Sequence, residues 1–95
     1  TQVQAMVQYL DFGLPLQLAI EAPRARLWDG RLVEAENRIS SETIAELKRR
    51  GHEIVAFDTG WTMRCGGMQA VAVDPETGVM TGAADPRRDG YAVGV

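Results

Sequence analysis

Helix and strand breakers recur so often along this chain that only short helices and strands, joined by tight turns, can form between them. Gly13, Pro15, Pro23, the Asp29-Gly30 pair, Gly51, Gly66-Gly67, Pro75, Gly78 and Pro86 punctuate its 95 residues. Glycine supplies left-handed dihedrals, and proline has no amide to donate to a helix or sheet ladder. In the first segment Val3, Met6, Val7 and Leu10 recur at helical spacing with Gln2, Gln4 and Gln8 between them, which predicts an amphipathic helix. Gly13 ends it, and Pro15 is placed to start another. Leu16, Leu18, Ala19, Ile20 and Ala22 make that second, strongly apolar helix, closed by Pro23. From Arg24 to Ile39 the pattern reads as two short extended pieces about the Asp29-Gly30 turn.

A third helix has signals at both ends. Ser40 can cap its free amides, Glu42 lies in its first turn, and Lys48, Arg49 and Arg50 lie in its last, all suited to the helix dipole. Ile44, Leu47 and Ala45 form its expected core face, and Gly51 stops it. Residues 52–57 read as a strand, and 58–67 as a loop. Gln69 to Val73 and Val79 to Ala84 read as a hairpin joined by Asp74-Pro75-Glu76-Thr77-Gly78. The expected fold class is α+β, an antiparallel sheet with helices flanking one side, in a single domain or part-domain over residues 1–95.

Composition narrows the function classes. With 45% hydrophobic and 24% charged residues the chain is neither wholly disordered nor collagen-like. A net charge of −3 argues against general affinity for nucleic acid or anionic membrane. No apolar stretch approaches the ~20 residues needed to span a bilayer, and the first residues lack a signal-peptide pattern. The single cysteine, Cys65, cannot form an intrachain disulfide. The chain opens without Met directly into an amphipathic repeat, so it is expected to begin inside a longer protein.

Several residues invite a chemical role and are better read plainly. Thr1 resembles the nucleophile of an N-terminal nucleophile hydrolase, but such a residue normally begins a strand, and Thr1 begins a helix pattern. Gly66-Gly67 is followed by a strand rather than a helix, which favours a turn over an anion-binding or oxyanion pair. His52 suits a helix end and has no second histidine with which to hold a metal. Arg64 beside Cys65 would lower a thiol pKa, yet nothing else needed for nucleophilic catalysis accompanies it. Trp28 and Trp61 are read as packing residues, and Lys48-Arg49-Arg50 as a solvated helix end.

Three strings together are specific: Leu10-Asp11-Phe12-Gly13 followed by Ala19-Ile20-Glu21-Ala22-Pro23-Arg24; Ile39-Ser40-Ser41-Glu42-Thr43 running to Lys48-Arg49-Arg50-Gly51-His52; and Gly82-Ala83-Ala84-Asp85-Pro86-Arg87-Arg88-Asp89-Gly90. In this order and spacing the chain resembles the C-terminal part of the small subunit of gamma-glutamyltransferases, also called gamma-glutamyltranspeptidases. The resemblance implies an N-terminal nucleophile hydrolase with an αββα sandwich, made as a precursor that cleaves itself into large and small subunits. It implies a threonine nucleophile that takes the γ-glutamyl group of glutathione or a related compound and passes it to water or an amine, without metal or organic cofactor.

The residues of that chemistry precede the helix matching Val3 to Phe12, so the resemblance carries no catalytic or substrate-binding residue onto this chain. It does carry Arg24, Asp85 and Arg87, as structural support through charge-assisted hydrogen bonds. The implied partners are the remainder of the small subunit, the large subunit and, for the parent, a glutathione-like substrate. Periplasmic or secreted placement is the usual bacterial setting, and the chain alone is expected to self-associate. The rival from another class is a free-standing α+β protein-interaction module.

Overall fold

A computed structural model of the chain describes residues 2–57 and 60–94. The elements run α1 (Gln2–Leu10), α2 (Leu16–Glu21), β1 (Ala25–Asp29), β2 (Leu32–Ala35), α3 (Ser41–Arg49), β3 (Glu53–Ala56), a short 3-10 turn (Met63–Cys65), β4 (Gln69–Val73) and β5 (Met80–Ala84). This is the expected α+β class. Thr1 lies outside the described residues. The chain divides into two compact units, one of Pro23–Cys65 and the other of Gln2–Ala22 with Gly66–Val95.

The unit spanning Pro23–Cys65 holds a three-stranded sheet in the order β1-β2-β3. The Asp29-Gly30 turn, with Gly30 at φ +54, folds β2 back on β1, pairing Arg26 with Glu34 and Leu27 with Val33. β3 departs from the expected antiparallel sheet, because it runs parallel to β2, pairing Val33 with Ile54 and Glu34 with Val55. The reason is the intervening helix: α3 carries the chain back along the sheet, so the next strand starts from the same end as the last. Ser40 caps α3 as expected, its Oγ accepting the Thr43 amide at 3.2 Å. On its core face Ile44 and Leu47 are half-buried, but Ala45 is exposed, correcting the expected three-residue face. At the other end Glu46 accepts hydrogen bonds from Arg49 and Arg50, which hold its carboxyl below the usual range.

The second unit packs α2 against the β4–β5 hairpin. Its core is Leu16, Ile20 and Ala83, with Tyr9, Met68, Ala70 and Ala72 against it. Alternation along β4 turns Ala70 and Ala72 inward and leaves Val71 and Val73 exposed on the opposite face beside Met80. Gly13, at φ +71, makes the left-handed turn after α1. α1 itself buries Ala5, while Val3, Met6 and Leu10 of its apolar stripe are exposed.

Candidate functional site

The residues carried by the family motifs become two buried polar networks, one in each unit. In the unit containing α2 and β5, the chain leaves β5 at Ala84 and turns at Asp85-Pro86-Arg87. Asp85 and Arg87 are both buried. The Asp85 carboxylate accepts the Arg87 amide at 3.0 Å and its Nη1 at 3.1 Å on one oxygen, and the Met68 amide at 3.0 Å on the other. Arg87 then donates from Nη1 to the Ile20 carbonyl and from Nη2 to the Ala22 carbonyl, each at 2.8 Å. Those carbonyls end α2 where Pro23 forbids a further helical amide, so a cation there meets both an unsatisfied acceptor and the negative end of the helix dipole. Gln17 also ties the same helix to β5. Its Nε2 donates to the Ala84 carbonyl at 2.8 Å and its Oε1 accepts the Ala84 amide at 3.0 Å, as a neighbouring strand would.

In the other unit Arg24 and Glu36 extend the β1–β2 ladder inward. Glu36 is wholly buried, and one of its carboxylate oxygens accepts the Arg24 amide at 2.9 Å and Arg38 Nη2 at 3.2 Å. Its other oxygen accepts the Thr62 amide at 3.0 Å, and Arg24 Nη1 reaches the Cys65 carbonyl at 3.4 Å. Cys65 is buried, with Sγ 3.9 Å from the Arg24 carbonyl, while His52 is exposed beyond the end of α3. Gly66 adopts φ +84, a conformation suited to a turn. Both tryptophans meet guanidinium groups: Arg38 lies 3.6 Å from the Trp61 ring centre and Arg26 lies 4.4 Å from that of Trp28.

Glu36, Glu34 and Gln17 were not singled out from the sequence. A signal for the two acids was present. Counting outward from the Asp29-Gly30 turn sets Arg26 opposite Glu34 and brings Arg24 to Glu36, so basic and acidic residues spaced by two lie on the same side of paired strands. Glu34 binds Arg26 Nη2 at 2.9 Å and Arg64 Nη1 at 3.3 Å. These three, with Trp28, Leu32 and Val55, line a shallow groove of about 420 Å³ on one face of the sheet. Among the described residues no three side chains of the metal-binding types come together.

In this two-sheet α+β chain a buried Asp-Pro-Arg turn clamps a helix end, and Asp85, Arg87 and Glu36 direct most of their hydrogen bonds to backbone groups. The chain belongs to the gamma-glutamyltranspeptidase family, whose model matches residues 1–95. It is 38% identical over 94 residues to an acylase ACY 1 proenzyme of Pseudomonas sp. (strain V22), covering 98% of this chain and 16% of that protein. It is 37% identical over 100 residues to the glutathione hydrolase-like YwrD proenzyme of Bacillus subtilis, covering 100% of this chain and 19% of that one. Among solved structures, cephalosporin acylase from Bacillus halodurans superposes with a TM-score of 0.86 at 36% identity, over 95% of this chain and 16% of the acylase. The chain thus spans between a sixth and a fifth of the length of these curated relatives.

Proposed function

We propose that residues 1–95 form the C-terminal structural segment of a gamma-glutamyltransferase-like enzyme of the N-terminal nucleophile class. In this reading the parent transfers or hydrolyses the γ-glutamyl group of glutathione and related compounds through a threonine upstream of this segment. Its partners are the rest of the same precursor, and the segment belongs to an αββα sandwich. The observation that carries the reading is the family match across the whole chain. The β4–β5 hairpin agrees with it, having α2 on one face and exposed Val71, Val73 and Met80 on the other, as a sheet has when a second sheet packs there. Arg24, Asp85 and Arg87 support the frame and do not touch the reacting group.

The test is release of chromophore from a γ-glutamyl anilide by the full-length parent and by the isolated 95 residues. Turnover is expected only from the parent, because an activated nucleophile and preorganised oxyanion donors must act together. Turnover by the isolated chain that Thr1→Ala abolishes would overturn the reading. The 38% identity to an acylase proenzyme supports a second donor class, an acyl amide, for the same frame. Comparing γ-glutamyl and simple acyl anilides on the parent separates the two.

A further inference from the structure

In the groove on the β1–β2–β3 sheet, two guanidinium groups share one carboxylate. Arg26 is fully used: Nε and Nη2 bind Glu34 Oε1 at 3.2 and 2.9 Å, and Nη1 binds the Arg64 carbonyl at 3.3 Å. Arg64 is half used. Its Nη1 reaches Glu34 Oε2 at 3.3 Å, its guanidinium carbon lies 5.8 Å from the Phe57 ring centre, and among the described residues Nε and Nη2 have no acceptor. That Nε–Nη2 edge is the planar fork that fits a carboxylate bidentately. The neighbouring Arg31 and Glu53 pair with each other at 3.3 Å, so among the described residues that line the groove one positive charge remains. Around it stand apolar surfaces, Trp28 at 60% and Val55 at 51% exposure.

We propose that the open fork of Arg64, flanked by Trp28 and Val55, docks a carboxylate side chain from a part of the parent precursor outside residues 1–95; this rests on reading the chain as a segment of a longer enzyme. The occupant follows from three observations together. The uncompensated charge selects an anion, the fork selects a carboxylate, and the apolar rim favours a covering chain that excludes water and so strengthens the pair. The curated relatives are some five to six times longer than this chain, so such a chain has ample source in the parent.

A photo-crosslinking phenylalanine analogue placed at Trp28, and separately at Val55, in the full-length precursor tests the assignment. The expected result is a crosslink to one segment outside residues 1–95 that carries Asp or Glu. Arg64→Glu should lower its yield about tenfold or more, and changing that acid to Lys in the Arg64→Glu background should restore it. Crosslinks confined to residues 1–95, to a second copy, or to a segment without an acid overturn the proposal, as does a yield unchanged by Arg64→Glu. Because the crosslink is read with Arg64 intact, poor folding of the variant leaves the first outcome decisive. A parent that forms the acid-bearing crosslink but releases no chromophore supports the docking and refutes only the proposed activity.

Discussion

Arg87 is worth more to this chain as a set of donors than as a charge. It serves the Asp85 carboxylate and the last turn of a helix that has no amides left to offer. Removing one member of a buried charged pair costs ~3–5 kcal/mol, a large share of the ~5–15 kcal/mol that holds a typical protein. Arg87→Ala in the full-length parent should therefore reduce folding or self-cleavage while leaving donor preference unchanged in what matures. A gel of subunit yield beside an anilide donor panel checks this, and a fully matured variant that prefers a different donor would place Arg87 in the substrate pocket instead. Cys65 offers the opposite case. Its thiol is buried against the Arg24 carbonyl, so Cys65→Ser should keep the parent's turnover within a few-fold, and a loss of three orders of magnitude with the fold intact would make the thiol chemical. Arg24 and Arg87 were visible in the sequence because each lies in a compact motif. Gln17 was not, since its meaning depends on an Ala84 backbone 67 positions away that no local pattern reveals.

Elements were legible where their ends carry their own chemistry. The Ser40 cap, the basic last turn of α3 and the left-handed residues at Gly13, Gly30 and Gly78 all act within a few residues of themselves. Ser40→Ala should cost about 1 kcal/mol in a denaturant melt, because the Thr43 amide loses its acceptor. The Asp74 turn is similar: the Glu76 amide donates to Asp74 at 2.9 Å and holds its carboxyl below the usual range. A depressed folded-state value means that the ionised form favours the turn above the ordinary carboxylate range, and that this contribution disappears as pH falls through the depressed value. Acid titration followed by NMR should show the Glu76 amide moving at lower pH than the aspartate carboxyl of an unstructured peptide carrying the same turn sequence. Equal midpoints would remove the Asp74 contribution. The direction of β3 was hidden for a different reason. Hydrophobic spacing identifies a strand but not its partner, and parallel pairing with β2 follows only once α3 is seen as a crossover.

For the chain as a whole, the difficulty is how little large apolar volume it buries. Among the described residues the buried apolar set is Ala5, Leu16, Ala19, Ile20, Ala35, Cys65 and Ala83, in which only Leu16 and Ile20 are sizeable. Full burial of such a side chain contributes ~1.5–3 kcal/mol, whereas ordering the backbone costs ~1–2 kcal/mol for every residue. Meanwhile Val3, Met6, Leu10 and Phe12 are exposed near the start of the chain, and Val71, Val73, Met80 and Val93 are exposed toward its end. This distribution explains why the apolar stripe of α1 was easy to see in the sequence while its exposure was not: periodicity tells which residues share a face, and only what packs against that face decides whether it is covered. A soluble monomer rarely tolerates contiguous apolar surface beyond a few hundred Å². The isolated 95 residues should therefore associate with one another or remain partly ordered, and addition of the rest of the precursor should suppress both. Sedimentation equilibrium across a tenfold concentration range, with a dye that reports apolar surface, measures the first effect. A monomer insensitive to dilution, melting cooperatively and binding no dye, would instead favour a self-sufficient interaction module.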